Sequence, residues 1–360
     1  MAKSLTAALL FILPLIVIPL GISPFEAPKV VIAEVVILLL AITRFNLLSK
    51  FKVNKFQTIY LLFFAILFLL TLYTLFTSSY IYSLFGNPIR LQGVFLLWCL
   101  MVFTFTGEKL WRLKKLRALY LLSALTLFSS TLILGINQNS RAFGTLGEPN
   151  ALAAVALFFY TIISFWEEKK FKWLTFLGTL IVIFLSDSRS ALVGFFIVNL
   201  FILLTQYLKL ALSKAVIISL ILLTFSFILP LLTPKLWFES RAEIWKTAFF
   251  SGLESPFFGQ GFGNIQPSIA STAKSLNNNV QYQVVDSSHN FLLDFWVQGG
   301  VLGVIPIIGL IHLSLLNFIG RKSRLELALL LGVLTVMSFN PVSVSSLLLF
   351  WYLIGQGFGE

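Results

Sequence analysis

The sequence predicts an all-α polytopic membrane protein with about twelve transmembrane helices and one large extracytoplasmic loop. Hydrophobic residues make up 58% of the chain and charged residues only 11%, whereas a soluble domain is about one quarter charged. The apolar residues form successive runs, many of them close to the ~20 residues that a helix needs to cross the hydrocarbon core. One long polar stretch, residues 233–289, interrupts this series.

The apolar runs show no internal repeat and leave no room for a separate soluble domain, so residues 1–360 are predicted to form a single membrane domain. The last two runs are separated only by Asn340-Pro341, a dipeptide typical of turns. The twelve predicted spans cover residues 5–21, 29–43, 57–76, 90–106, 117–135, 150–166, 172–187, 190–208, 214–232, 290–312, 325–340 and 342–357.

Basic residues set the predicted orientation. If the N-terminus lies in the cytoplasm, every linker on that side is basic, and 18 of the 26 Lys and Arg residues lie there. Lys and Arg favour cytoplasmic loops, so both termini are predicted to be cytoplasmic and the loop 233–289 to lie outside. Cations confined to short linkers are typical of orientation signals. We therefore expect the lipid bilayer as a partner, and no nucleic acid, despite the net charge of +12.

Eight basic residues lie on the predicted outer side, where orientation does not explain them. Arginines at membrane depth usually pair with an anionic group. Arg189 follows Asp187 in a short turn between two spans. It either pairs with Asp187 and closes the turn, or it binds a phosphate through its planar fork of donors. The eight residues are Lys29, Arg90, Arg141, Arg189, Lys235, Arg241, Lys246 and Lys274.

The outer loop is predicted to contain a short amphipathic helix over about residues 240–250, with Ser240 as its N-cap. Arg241 and Trp245 share one face at helical spacing. In one interpretation the helix lies in the interface and Trp237 and Trp245 anchor it among head groups. In the other, Arg241 points into a site beneath the loop and joins Arg189 on a diphosphate.

His289 is the best single residue for a catalytic base. It is one of two histidines, it begins a predicted span, and Asp286, Asn290 and Asp294 surround it in the sequence. An imidazole titrates near neutrality and can accept a proton from a hydroxyl. The alternative is an N-cap or loop-packing histidine. His312 lies within a span without polar neighbours and is interpreted as structural.

The sequence offers little for a metal or a cofactor, and we expect neither. Asp286, Asp294 and Glu148 are a weak alternative for a metal site, and a single outer histidine argues against a zinc centre. Cys99 is the only cysteine, which excludes an intrachain disulfide. The glycines at 259–263 follow no predicted strand, so we interpret them as a tight lid loop and not as a dinucleotide motif.

A set of short motifs recurs in a defined order along the chain. The motifs are Arg90-x-x-Gly93, Gly144-Thr-Leu-Gly-Glu148-Pro-Asn150, Ser186-Asp-Ser-Arg189-Ser-Ala, Arg241-x-x-x-Trp245, Pro256-x-x-Gly259-x-Gly261-x-Gly263, and His289-Asn290-x-x-Leu293 followed by Gly299-Gly-Val-Leu-Gly303. Together they resemble the O-antigen ligase/polymerase family of bacterial membrane glycosyltransferases, most strongly in the second half of the chain.

This resemblance implies a fold related to the GT-C glycosyltransferases, a polyprenyl-diphosphate-linked glycan as donor, and transfer without a metal on the outer side of the inner membrane. It implies that His289 is the general base and that Arg189 and Arg241 hold the diphosphate. The chain is compact for the family. Supporting residues are expected to be Arg90, Arg141, Glu148, Asn150, Asp286 and Asn290.

The predicted function is therefore transfer of a glycan to an acceptor hydroxyl on lipid A core, on another glycan or on a protein. Ligase, polymerase and protein O-oligosaccharyltransferase remain open, because the same site chemistry serves all three. A transporter or flippase of lipid-linked or anionic solutes is the alternative from a different class. Transporters place charge near mid-membrane on broken helices, whereas here the polar residues gather at one face of the predicted bundle.

Overall fold

The computed structural model describes residues 1–19, 23–48, 55–77, 80–110, 116–134, 141–166, 168–232, 241–278 and 285–358. The regular elements in these ranges are helices. They are α1 (Ala2–Ala7), which continues as a π-helix (Ala8–Ile12) and a 3-10 helix (Leu13–Leu15), α2 (Glu26–Leu48), α3 (Lys55–Thr77), α4 (Tyr80–Phe85), α5 (Val94–Thr106), α6 (Arg117–Ile133), a 3-10 helix (Gly144–Leu146), α7 (Pro149–Ser164), α8 (Lys169–Ser186), α9 (Arg189–Ile202), which continues as a π-helix (Leu203–Tyr207), α10 (Leu212–Leu232), α11 (Arg241–Leu253), α12 (Ile265–Ser275), α13 (Phe291–Gly320), α14 (Arg324–Met337) and α15 (Val344–Phe358).

A helix lies at each of the twelve segments predicted as spans. In the described part of the chain, three helices are long and apolar enough to cross a membrane by themselves: Phe56–Thr77, Arg189–Tyr207 and Phe291–Gly320. Further apolar helices are shorter. The structure therefore supports a helical membrane protein, while the number of twelve spans stays a prediction.

Two predicted segments differ from the helices in their bounds. The first helical segment ends at Leu15 and not near residue 21, because Ile16 takes an extended conformation. The predicted span from Arg90 becomes a helix only at Val94. Arg90 lies in a turn, in which the amide of Leu91 donates to the carbonyl of Asn87 at 2.8 Å.

Helices α7, α14 and α15 form the centre of the bundle. Their side chains are buried around almost the whole circumference. Gly194 of α9 leaves room for Leu157 of α7, since a Cβ there would lie 2.9 Å from a methyl group of that leucine. The outer helices expose large apolar side chains such as Ile42, Phe76 and Phe184, as a surface that faces lipid does.

Helix α13 is interrupted at Gly300, whose φ of 56° and ψ of −151° are not helical. The Gly-rich segment 256–263 packs against this break. Backbone hydrogen bonds run from Val301 N to Pro256 O (2.8 Å), Leu302 N to Phe257 O (3.2 Å), Gln260 N to Val297 O (2.7 Å) and Gly261 N to Gln298 O (3.0 Å). The part after the break, Val301–Gly320, is about 30 Å long and matches the hydrocarbon thickness by itself.

Polar connections from many parts of the chain meet at one end of the bundle, which we call the polar end. Four cross-links define it: Arg90 to Asp286, Arg141 to Ser186, Asn340 to Ser190 and the amide of Val344 to Glu26. The α7–α8 connection, where Arg117 pairs with Glu168, lies at the other end, because α7 and α8 both run the length of the bundle from the polar end.

Candidate active site

Two carboxylates hold Arg90 in its turn before α5. Its Nε donates to Asp286, and its Nη2 lies 3.7 Å from an oxygen of Glu148. Burial by itself lowers the pKa of Arg90, but Asp286 and Glu148 raise it above its ordinary value. The guanidinium is therefore firmly cationic. Its Nη1 is buried without a hydrogen-bond partner among the described residues, which leaves one donor for a bound group.

Glu148 links Arg90 to Arg241. It is the N-cap of α7, directly before Pro149 at the first helical position. Burial raises the pKa of its carboxyl, and the charges of Arg90 and Arg241 oppose this increase. Burial also lowers the pKa of Arg241 to about 10, where Glu148 opposes the decrease and Arg141 adds to it. At neutral pH Arg241 is still a cation, held in surroundings with little water.

Helix α11 directs Arg241 toward the bundle. Trp245, one turn later on the same face, is buried, and its ring lies 5.7 Å from that of Phe227 and 5.9 Å from that of Phe339. Trp245 therefore packs inside the protein instead of anchoring an interfacial helix. Residues 233–240, which include the predicted N-cap Ser240 and Trp237, lie outside the described residues.

Arg141 ties the α8–α9 turn to the start of α7. Its Nε donates to the carbonyl of Ser186 at 2.7 Å, and its Nη2 donates to Asn150 at 3.0 Å and to the carbonyl of Asp187 at 3.2 Å. This accounts for two of the predicted supporting residues, Arg141 and Asn150. Their contacts join the α8–α9 turn to the α7 N-terminus.

Arg189 is placed by the turn that the sequence predicted. Asp187 ends α8 in the left-handed conformation, with a φ of 44°, and Ser188 is the N-cap of α9. Arg189 is thus the first residue of α9, at the polar end. It lies close enough to Arg141 for its charge to lower the pKa of Arg141, which burial lowers most and Asp187 and Glu148 raise.

The loop before α13 presents His289. His289 has a φ of 58°, in the left-handed region, which a non-glycine residue adopts only when its surroundings impose it. Ser288 fixes the loop, since its amide and hydroxyl donate to Asp294 at 2.8 and 2.6 Å. Asn290 is the N-cap of α13 and accepts two amides of the first turn at 3.0 and 3.2 Å. Because Asn290 caps the helix, the capping alternative for His289 does not apply.

The imidazole of His289 adjoins the arginine network. Its Nδ1 is buried and has no hydrogen-bond partner among the described residues. Asp286, three residues earlier, is the carboxylate that binds Arg90. A ring nitrogen that is not engaged by the protein is suited to exchange a proton with a bound substrate.

The structure therefore brings the predicted residues together at the polar end, though through intermediaries. Asp286 joins the His289 loop to Arg90, Glu148 joins Arg90 to Arg241, and Arg141 joins Arg241 to Arg189. Their chemical roles stay predictions. The weak metal-site alternative gains no support: within the described ranges no three His, Cys, Asp or Glu side chains are arranged to hold a metal ion.

Sequence reasoning missed three buried groups here. Glu26 accepts the amide of Val344 at 3.0 Å, and its other carboxylate oxygen is buried without a partner among the described residues. Lys29, fully buried, donates to the carbonyl of Thr145 at 2.7 Å. Asn340 donates to the hydroxyl of Ser190. Their signal was their location, since Glu26 and Asn340 flank predicted spans on the same side as the arginines.

Comparison with known proteins supports the family resemblance. Residues 174–308 match a family model described as O-antigen ligase (Wzy_C), and this region contains Arg189, Arg241 and His289. A protein of Acinetobacter baylyi, the ComP-specific O-oligosaccharyltransferase, is 25% identical over 194 residues. The matched part is 48% of this chain and 34% of the relative, so the similarity spans about a third of the relative's length. The resemblance inferred from the motifs is confirmed.

Proposed function

We propose that this protein is a membrane glycosyltransferase of the O-antigen ligase type. It transfers a glycan from a polyprenyl-diphosphate-linked donor to an acceptor hydroxyl, with inversion and without a metal. The family match over residues 174–308 and the helices able to cross a membrane support the broad class. The donor, the mechanism and the residue roles are the proposal.

The observation that carries the proposal is the set of four arginines at one end of an apolar bundle. Arg90, Arg141, Arg189 and Arg241 contribute four cations, and the buried Glu148 and Asp286 hold Arg90 in place. Such a cluster suits a diphosphate, whose oxygens accept the paired donors of a guanidinium. A leaving diphosphate gains charge as the glycosidic bond breaks, and each fixed donor aimed at that charge contributes about 3 kcal/mol.

In the proposed reaction His289 accepts the proton of the acceptor hydroxyl as its oxygen attacks the anomeric carbon. The bond from that carbon to the diphosphate breaks, and Arg189 and Arg241 bind the leaving group. General-base assistance contributes about 10²–10⁴-fold in rate. Attack opposite the leaving group inverts the anomeric configuration. The donor supplies the free energy, so the reaction needs no nucleotide.

Orientation follows from the distribution of basic residues. We place both termini in the cytoplasm and the polar end outside the bacterial inner membrane, because most Lys and Arg lie in the linkers at the other end. The Gly-rich segment and α11, both within the loop 233–289, then lie over the site as its lid. The acceptor is lipid A core, a second lipid-linked glycan or a protein hydroxyl.

Protein glycosylation is a second form of the same function. The relative named an O-oligosaccharyltransferase specific for ComP favours it, since the matched regions carry the similarity between the two chains. A transporter or flippase is the remaining alternative. The break in α13 at Gly300 is the feature that favours transport, because transporters use interrupted helices.

Deleting the gene in the source bacterium tests the proposal. Loss of surface glycan from lipid A core identifies a ligase, chains of one repeat unit identify a polymerase, and loss of glycan from a protein identifies a protein transferase. Purified protein in vesicles should then transfer glycan from a polyprenyl-diphosphate donor. Unchanged surface glycans, or donor trapped on the cytoplasmic leaflet, would contradict the proposal.

A further inference from the structure

A second concave surface lies at the end of the bundle away from the arginines. It is a groove of about 680 Å³ between the end of α7, the start of α8 and the end of α9. This volume lies within the range of sites that hold small ligands. Helix α8 runs from this groove to the polar end, and its 18 residues separate the two sites by about 27 Å.

One part of the groove is polar and basic. Lys169 and Lys172 line it together with Gln206. Its wall is a fixed pair, because the hydroxyl of Tyr160 donates to Asn199 at 2.5 Å. The π-helix Leu203–Tyr207 closes this side, and single π turns inside α-helices are frequent at functional sites.

The two lysines have no carboxylate partner among the described residues. Glu168, the adjacent acidic residue, is bound to Arg117 at 2.6 Å. Glu167 lies outside the described residues. The groove therefore presents positive charge that the described protein does not neutralise, and this charge complements an anionic head group.

The groove continues into an apolar cleft. A second cavity of about 600 Å³ shares Phe176, Phe196 and Asn199 with the first and extends along α8, α9 and α10. Phe196 and Trp173 are 62% and 64% exposed, so both lie on the surface that faces lipid. Tryptophan is enriched where lipid head groups meet the hydrocarbon core.

We propose that this groove binds one anionic glycerophospholipid. Lys169 and Lys172 bind its phosphate, and the cleft beside Phe196 holds an acyl chain. The polar and apolar parts follow each other along the helices in the order of a lipid's head and tail. Orientation signals alone would require only basic linkers, and the continuous cleft is what points to a bound molecule.

Native mass spectrometry of the full chain in a neutral detergent tests this. Phosphatidylglycerol and phosphatidylcholine with the same acyl chains are the two probes. We expect tighter retention of phosphatidylglycerol, and a loss of roughly five-fold per lysine in the double variant Lys169→Gln/Lys172→Gln, from the usual contribution of a lysine near an anionic surface. Lys170→Gln is the matched control, since Lys170 is exposed and lies over the ring of Phe171.

The apolar half has its own control. Phe196→Ala should weaken retention of both lipids, whereas Phe184→Ala, at an exposed position outside the cleft, should not. Equal retention of the two lipids by the unmodified chain, or retention unchanged in the double lysine variant, would overturn the proposal. Displacement by millimolar inorganic phosphate, or stronger retention of a polyprenyl phosphate, would overturn the assignment to a glycerophospholipid.

Discussion

Asp286→Asn should destabilise the protein more than the loss of a comparable ion pair elsewhere. The substitution leaves Arg90 cationic, with its Nε facing a neutral amide, while Glu148 stays 3.7 Å from its Nη2. Removing one partner of a buried ion pair costs about 3–5 kcal/mol. Arg90 and Asp286 are 16% and 11% exposed and Glu148 still helps, so we expect the lower end, about 3 kcal/mol. This corresponds to a change on the order of 10²-fold in the unfolding equilibrium.

Glu168→Gln is the matched control, because Glu168 also pairs with an arginine but both side chains are more exposed, at 30% and 39%. Exposed pairs contribute about 0–1 kcal/mol. Unfolding in detergent, followed by intrinsic fluorescence, gives both values. Asp286→Asn should also lower glycan transfer, since Asp286 anchors the loop of His289, while Glu168→Gln should not. Equal and small losses for the two variants would refute the importance of the Arg90–Asp286 pair.

The remaining predictions concern the diphosphate, the second histidine and the Gly-rich segment. Arg189→Lys and Arg241→Lys should each lower transfer by about 10²-fold, because a point charge replaces a bidentate fork; donor binding unchanged in both would locate the diphosphate elsewhere. His312→Ala should leave turnover as it is, since His312 is exposed far along α13, and a large decrease in kcat would contradict its assignment. Gly259→Ala should destabilise the protein by more than ~1 kcal/mol, because its φ is 70° and a Cβ would collide with the backbone of α13. Gly320→Ala, with no atom within 4 Å of its Cβ position, should change the melting temperature little in the same assay.

The helices were predictable because a membrane span is a property of a local window. Long runs of apolar residues mark them, and the α8–α9 turn was visible as four polar residues between two such runs. The exact start of α5 was not predictable in this way. Arg90 adjoins an apolar run, but its bond to Asp286, almost 200 positions away, holds it in a turn.

The break in α13 shows a second limit. Gly299 and Gly300 lie in a continuous apolar run, so periodicity predicts an uninterrupted helix there. Two glycines were the available signal. The break is stable because the carbonyls of Pro256 and Phe257 accept the amides that the helix leaves open. Those partners come from another segment, and a single local window does not contain them.

The candidate site was predictable in its residues more than in its connections. Arginines on the outer side have no orientation role, and that reasoning found Arg90, Arg141, Arg189 and Arg241. It did not find Glu26, because an acidic residue before a predicted span looks like an ordinary helix start. Its role depends on burial and on the amide of Val344, which only the folded chain provides.

Transfer by purified His289→Ala, measured together with donor binding, tests the central assignment most directly. If His289 is the base, transfer should fall by about 10²–10⁴-fold, while the donor still binds because the arginines are intact. Glycan transfer at the unmodified rate would show that another group accepts the proton and would contradict the proposed mechanism.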